Sequence, residues 1–280
     1  MNSLPKEVVI HDPFVYRRPR GFIAVYGPEA AVYLNRMLSN EIESLGAGVF
    51  CEAMLLTPKA RVVALFIVYC RDENSFLLIT DEGLDDIAAT ALLRAKLNAD
   101  VQIEIETQTS YVVCGVEPTW ATGIVVANSE FGQGHEVVGE DPPSELVEIS
   151  EEEAECRRIE AGMPRFGWEI DDRVLPAEAG LVDRAVSFEK GCYPGQEPIA
   201  RLQYRGHTNR GLRILSLQSN SSPPLDTEVL YEGKVVGRIT SAAVRANDVV
   251  ALAYIRNEIK LDAVLEVDGA LASIIGLGRP

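Results

Sequence analysis

The chemically richest part of this sequence is the stretch 190–197, which we call the cysteine motif. It carries an ammonium, a thiol, a phenol, an amide and a carboxylate. Cys192 could act as a nucleophile, because Lys190 is close in sequence and the N-terminus of a following helix would lower the thiol pKa. His207 is the nearest histidine that could serve as a base. The alternative is a structural turn whose cysteine and tyrosine fill the core.

Two glycines and a proline shape the backbone of this stretch. Gly191 and Gly195 permit tight turns that other residues avoid. Pro198 suits the first turn of a helix, where its missing N–H is not needed. Gln196 and Glu197 should then lie where the positive end of the helix dipole favours an anionic or carbonyl-bearing ligand. The pattern predicts a ligand-binding loop.

The pattern Lys190-Gly191-Cys192-Tyr193-x-Gly195-Gln196-Glu197 resembles the signature of the YgfZ family. That family comprises folate-binding, iron–sulfur-related proteins of the GcvT-like superfamily, which are relatives of the glycine-cleavage T-protein, an aminomethyltransferase. Segments at residues 27–30, 158–164, 167–171 and 176–181 also look like those of T-protein relatives, so the resemblance spans most of the chain. It implies a tetrahydrofolate-binding protein that supports assembly or repair of iron–sulfur clusters in client enzymes, with Cys192 at its working surface.

The resemblance also implies a set of ligand-binding residues. Arg201 and Arg205 could pair with the glutamate tail of tetrahydrofolate or a derivative. The residue that recognises the pterin stays open among Glu160, Glu169 and Glu178. The residues expected to bind the cofactor are Tyr193, Gly195, Gln196, Glu197, Arg201, Arg205 and Glu160, and those expected to do chemistry are Cys192 and Lys190.

One departure from the T-protein pattern bears on activity. T-proteins resembling this chain carry paired acids in the strand after the first turn, whereas Ala64 and Leu65 occupy those places here. The carboxylate that would handle a proton is therefore missing, which argues against aminomethyl transfer. Two alternatives to the cluster-support role stay open: a folate-dependent aminomethyltransferase or demethylase that uses another acid, and a non-catalytic interaction module.

The net charge of the chain limits the classes of partner that it is expected to bind. The formal net charge of -16 argues against a general binder of nucleic acid or of anionic membranes, which it would repel. Basic residues nevertheless gather around the cysteine motif. These cations form either a local pocket for a small anion or ion pairs with neighbouring acids. They are Arg184, Lys190, Arg201, Arg205, Arg210 and Arg213.

Cysteine and histidine usage indicates a reducing compartment. The 5 cysteines are an odd number without a C-x-x-C pair, and the 3 histidines are dispersed. We therefore expect free thiols and no sequence-local zinc or iron–sulfur site. The resemblance implies transient contacts with iron–sulfur enzymes or assembly proteins. The first residues lack the apolar region of a signal peptide, so we expect a cytoplasmic protein.

The resemblance implies an α+β fold with a GcvT-like folate-binding body of mixed sheets and helices at residues 1–207, which could comprise two subdomains. The hydrophobic pattern predicts a C-terminal antiparallel β-barrel at 208–280, as the resemblance also implies. Within the acidic, Gly- and Pro-rich stretch 130–155, Asp141-Pro142-Pro143 is expected to form a turn or edge segment. A helix that Ser150 caps is expected at 150–161. Further helices are expected after Pro28 and at 84–95. Strands are expected at 21–26, 49–56, 61–70, 75–80, 101–105 and 111–116, and barrel strands at 212–217, 228–231, 234–240, 249–255, 263–267 and 270–275.

Overall fold

The computed structural model describes residues 12–278. Two five-stranded sheets and a closed six-stranded barrel make up its β-structure. None of the helices in this part of the chain has the length and apolarity that crossing a membrane requires. The prediction about the first residues of the chain lies outside the described residues.

The first sheet has an antiparallel β3-β4-β5-β2-β6 order. Its strands are β2 (Arg20–Tyr26), β3 (Phe50–Leu56), β4 (Val62–Asp72), β5 (Ser75–Asp81) and β6 (Gln102–Glu106). One face packs on helices α1 (Ala30–Met37) and α2 (Asp85–Ala95). These strands contain long apolar runs. Burial of each large apolar side chain stabilises the fold by about 1.5–3 kcal/mol, so the runs form the buried faces of the sheet.

The second sheet has the order β10-β1-β7-β9-β8 and packs against the opposite face of the first. Its strands are β1 (Phe14–Arg17), β7 (Ser110–Cys114), β8 (Ile124–Asn128), β9 (Gly134–Val138) and β10 (Val147–Glu148). The acidic stretch 130–155 contains an inner strand, β9, which the sequence did not predict, while Asp141–Pro143 lies in a loop as expected. The acid that made this stretch look exposed, Glu136, is fully buried in an ion pair with Arg20.

The C-terminal barrel confirms the prediction of six antiparallel strands. It closes in the order β11-β14-β13-β12-β15-β16. Its strands are β11 (Arg210–Leu217), β12 (Glu228–Tyr231), β13 (Lys234–Val244), β14 (Val249–Arg256), β15 (Val264–Val267) and β16 (Ala270–Leu277). The fold class is thus α+β as expected, while the division at residues 207 and 208 stays a prediction.

Three helices connect the sheets to the barrel: α3 (Glu151–Glu160), α4 (Val182–Ala185) and α5 (Gln196–Arg205). Ser150 caps α3 by accepting a hydrogen bond from the Glu153 N–H at 3.2 Å, as its sequence predicted. A shared core joins Met54 of β3, Ile199 of α5 and Leu252 of β14. The cysteine motif runs from the loop after α4 into α5, beside this junction.

Candidate functional site

A cavity of about 800 Å³ lies along the α5 helix. Its walls come from the β3–β4 turn, the segment 175–177, α4 and α5. Six of the seven residues expected to bind a cofactor line it: Tyr193, Gly195, Gln196, Glu197, Arg201 and Arg205. The structure thus brings most of the predicted ligand residues to one concave surface.

Gly195 makes this arrangement possible. It is the N-cap of α5 and has a left-handed backbone with φ of 83°, which residues with a Cβ rarely adopt. A Cβ at this position would lie 2.7 Å from the carbonyl oxygen of Thr57 and 3.2 Å from the Cα of Ala60. Glycine therefore lets the start of α5 approach the β3–β4 turn closely enough to form one wall.

Tyr193 is the buried polar group of the cavity. The residue is only 7% exposed, and its hydroxyl has no hydrogen-bond partner within residues 12–278. Burial raises the pKa of this phenol to about 12, so the hydroxyl keeps its proton at neutral pH. A buried hydroxyl without a partner costs about 1–3 kcal/mol. The fold therefore retains an unsatisfied donor next to the cavity.

Lys190 anchors the cysteine motif to the C-terminal end of helix α1. Its ammonium donates to the carbonyl oxygens of Asn35 at 2.5 Å, Leu38 at 2.8 Å and Asn40 at 2.6 Å. Asn35 lies in the last turn of α1, and the other two residues follow the helix. Burial lowers its pKa to about 8. Since an ammonium has three donors, all are used, and a chemical role for Lys190 beside Cys192 stays a prediction that this geometry does not favour.

Cys192 is the exposed thiol of the protein. The other four cysteines are buried or half-buried, and burial raises the pKa of Cys51 to about 12 and that of Cys114 to about 11. Cys192 precedes the cavity-lining Tyr193 in sequence but is not itself among the residues that line the cavity. No hydrogen bond joins it to His207 in the part of the chain that the structure describes. The thiol is accessible, without an evident base.

The arginines near the motif divide into two groups. Arg184 pairs with Glu52 at 3.2 Å, and Arg210 pairs with Glu178 at 2.9 Å. Arg201 and Arg205 are exposed and form no ion pair within residues 12–278. Both sequence-based alternatives are thus realised: some cations pair with acids, and two remain at the cavity.

The three acids considered for pterin recognition lie elsewhere. Glu160 pairs with Arg245 of the β13–β14 turn at 3.1 Å. Glu169 is fully buried and accepts a hydrogen bond from Arg158 at 3.0 Å, and Glu178 is engaged by Arg210. None of them lines the cavity. A folate-binding role for Glu160 stays a prediction without support from this placement.

A second, smaller cleft of about 70 Å³ contains the position of the missing acid. Leu65 lines it, while Ala64 is buried in the core. The carboxylates of this cleft are neutralised: Asp81 pairs with Arg18 at 2.7 Å, and Glu130 pairs with the same arginine at 2.9 Å. The remaining acid there, Glu52, is held by Arg184 as described above. The cleft therefore offers no free carboxylate for proton transfer.

The sequence did not identify the walls that face the motif. These residues are Pro58 and Ala60 of the β3–β4 turn and Leu175, Pro176 and Ala177. The proline and threonine of 57–60 mark a turn, and 176–181 resembles T-protein relatives, but neither signal places these segments against the cysteine motif. Within residues 12–278, no group of three or more His, Cys, Asp or Glu side chains is arranged to hold a metal ion.

The fold is similar to that of an aminomethyltransferase of the glycine cleavage system. The structure matches the glycine cleavage system aminomethyltransferase T from Bartonella henselae with a TM-score of 0.81 and 17% identity, over 95% of this chain and 87% of that one. At this identity the match establishes the fold alone. No protein-family model matches the chain.

The chain is similar in sequence to two groups of curated proteins, the YgfZ proteins and the aminomethyltransferases. The chain is 26% identical over 243 residues to the tRNA-modifying protein YgfZ of Vibrio vulnificus, a match that covers 77% of this chain and 73% of the relative. It is 25% identical over 269 residues to an aminomethyltransferase of Streptomyces avermitilis, covering 80% and 72%. The resemblance to the YgfZ family within the GcvT-like superfamily, inferred from the cysteine motif, is confirmed.

Proposed function

We propose that this protein binds tetrahydrofolate or a derivative in the cavity beside α5 and supports assembly or repair of iron–sulfur clusters in client enzymes. The observation that carries the proposal is that six of the seven residues expected to bind the cofactor line one cavity of about 800 Å³. That volume is within the range of small-molecule sites, which span roughly 300–1,000 Å³. A folate-related role is also consistent with both groups of relatives.

The cavity walls match the parts of a folate. Apolar side chains such as Leu175, Val182 and Ile199 can cover the faces of a pterin ring. Tyr193 supplies a buried donor, and Gln196 offers both a donor and an acceptor. Arg201 and Arg205 offer charge to carboxylates at the exposed rim. An elongated ligand with a flat head and an anionic tail suits this combination.

The cluster-support role rests on Cys192. Its thiol is exposed, and it adjoins the proposed folate cavity through Tyr193. We propose that it contacts iron–sulfur enzymes or assembly proteins transiently, in the cytoplasm, where free thiols persist. Nucleic acid and membranes are not proposed as partners, because the net charge of -16 opposes both. The body at 1–207 would carry this site, with the barrel at 208–280 packed against it.

The transferase alternative receives less support from the geometry. Proton transfer during aminomethyl transfer needs a carboxylate that is positioned and available. Leu65 lines the cleft at the position of that acid, and the acids around it are paired with arginines. We therefore favour folate binding coupled to cluster support over aminomethyl transfer.

Calorimetric titration with tetrahydrofolate tests the proposed site. In Ala177→Trp the new indole should occupy the cavity and abolish measurable binding, whereas Ala127→Trp obstructs the cleft beside Leu65 and should leave the affinity unchanged. Thermal melting checks that both variants fold. Binding that survives Ala177→Trp, or that is lost only in Ala127→Trp, would contradict the assignment of the cavity.

A cellular experiment tests the second half of the proposal. Replacing Cys192 by alanine should lower the activity of iron–sulfur enzymes in cells that depend on this protein. The same variant should bind tetrahydrofolate as tightly as the native protein, because Cys192 does not line the cavity. Normal cluster-enzyme activity in the Cys192→Ala cells would remove the thiol from the mechanism.

A further inference from the structure

Helix α2 presents an apolar stripe to solvent. Ile87 and Leu93 on its outer face are about half exposed, and Leu97, just after its end, is 89% exposed. Thr90 is exposed between them on the same face, because residues three or four positions apart share one side of a helix. The opposite side of α2 already packs into the core of the first sheet. The described part of the chain leaves the stripe itself uncovered.

Leu97 is an unfavourable residue for its position in the free chain. Its backbone is left-handed, with φ of 50°, a conformation that asparagine, aspartate and glycine adopt far more readily than leucine. Its side chain lies in water, where a large apolar group gains no stabilisation from burial. A polar residue would suit the monomer better. A surface that covers the side chain would offset both disadvantages.

The charges of α2 are separated along its length. Asp86 lies in the first turn and Arg94 in the last, and both are exposed. Neither forms an ion pair within residues 12–278. A second α2 helix that runs antiparallel to the first brings the acidic end of each helix to the basic end of the other. A parallel arrangement would instead bring like charges together, so the charges favour antiparallel self-association.

The stripe is also complementary to itself in shape. In an antiparallel pair with a two-fold axis at Thr90, Leu97 of one copy lies level with Gly83 of the other, since both are seven positions from Thr90. Gly83 is exposed, and nothing lies within 4 Å of the position that a Cβ would occupy there. Ile87 and Leu93 lie level across the pair in the same way. The leucine therefore meets open space and the other apolar residues meet each other.

From this arrangement we infer that the stripe binds a second copy of the same chain, in a two-fold symmetric dimer whose interface is formed by two antiparallel α2 helices. Two-fold dimers with one self-complementary patch are the commonest homo-oligomers. The inference goes beyond the proposed function and does not depend on it, because α2 does not line the cavity along α5. One short helix from each copy makes a small interface, so the dissociation constant should lie roughly between 1 µM and 1 mM.

Sedimentation velocity over a series of protein concentrations tests the inference. The native protein should be mainly monomeric at about 1 µM and increasingly dimeric towards about 1 mM. Leu97→Asn should weaken the dimer and raise the Tm of the dilute monomer, because asparagine tolerates both the left-handed backbone and water. Leu261→Asn is the matched control. Leu261 is also an exposed leucine, in the turn between β14 and β15, and its replacement should leave the dimer intact.

A charge exchange tests the antiparallel orientation. Arg94→Gln removes one ion pair at each end of the symmetric interface, and the loss of two exposed pairs should raise the dissociation constant about 2- to 30-fold. The effect should shrink at high salt, because exposed charges are screened. Asp86→Arg should also weaken the dimer, since like charges then face each other, and Asp86→Arg/Arg94→Asp should restore it. Thermal melting checks that each variant folds.

Three results overturn the inference. A native protein that stays monomeric at about 1 mM excludes the dimer and assigns the stripe to a different protein partner. A dimer that Leu97→Asn leaves unchanged excludes the stripe as its interface. A folded double-exchange variant that dimerises no better than Asp86→Arg alone excludes the antiparallel pairing of Asp86 with Arg94. Titration with tetrahydrofolate should give the same affinity in all of these variants, so the proposed function is tested separately.

Discussion

The substitution Tyr193→Phe separates the role of this residue in binding from its role in stability. The Tyr193 hydroxyl is buried and lacks a partner within the described chain. Phenylalanine keeps the ring packing and removes only the unsatisfied oxygen. Since such a group costs about 1–3 kcal/mol, the free protein should become more stable by that order. In a chain of this size, each kcal/mol raises Tm by about 2–4 °C.

The same change should weaken ligand binding. A neutral hydrogen bond contributes about 0.5–1.5 kcal/mol, which corresponds to a loss of roughly 2- to 13-fold in affinity. Thermal melting without ligand and calorimetric titration with tetrahydrofolate measure the two effects independently. Stability and affinity thus move in opposite directions, a signature that a purely structural residue would not give.

Tyr204→Phe is the control for this experiment. Tyr204 lies on the same helix but is 70% exposed and does not line the cavity, so neither Tm nor affinity should change. The reasoning about Tyr193 would be refuted if Tyr193→Phe melted at a lower temperature than the native protein while binding tetrahydrofolate equally well. That outcome would mean that the hydroxyl stabilises the fold and has no role towards a ligand.

Three further predictions concern the groups around the site. Lys190→Met should lower Tm, because three hydrogen bonds to carbonyl oxygens are lost; an unchanged melting curve would exclude the anchoring role. Burial raises the pKa of Glu136 but its pairing with Arg20 outweighs this and lowers the pKa from 4.5 to about 2. Its ionised form therefore stabilises the fold above pH 4.5, and this stability should be lost as the pH falls towards 2, with a smaller loss in Glu136→Gln, as urea midpoints against pH would show. Ellman's reagent should react rapidly with a single thiol of the native protein, and Cys192→Ser should remove that fast phase; two or more fast thiols would contradict the burial of the others.

The barrel and the first sheet were predictable because their strands are marked by local hydrophobic patterns. The nearly continuous apolar run of β4 and the short apolar runs after Gly206 specify strands regardless of their partners. The second sheet was only partly predictable. Strand β9 contains Glu136, whose burial depends on Arg20, more than a hundred positions away in the chain. A single sequence gives no sign of such a pairing.

The candidate site shows the same distinction between local and distant information. Residues of the cysteine motif and of α5 share the cavity because they are neighbours in sequence, so the motif identified them together. Glu160 was grouped with them by the resemblance of its surroundings alone. Its partner is Arg245, a residue 85 positions later, and this contact could not be inferred before the barrel was placed. The apolar walls at Pro58 and Leu175 were missed for the same reason.

A crystal structure of the protein soaked with tetrahydrofolate tests the central claim most directly. The account predicts electron density for the ligand in the cavity beside α5, with a ligand atom within hydrogen-bonding distance of the Tyr193 hydroxyl and the tail directed towards Arg201 and Arg205. Density in the cleft beside Leu65 instead, or an unchanged cavity at saturating ligand concentration, would contradict it.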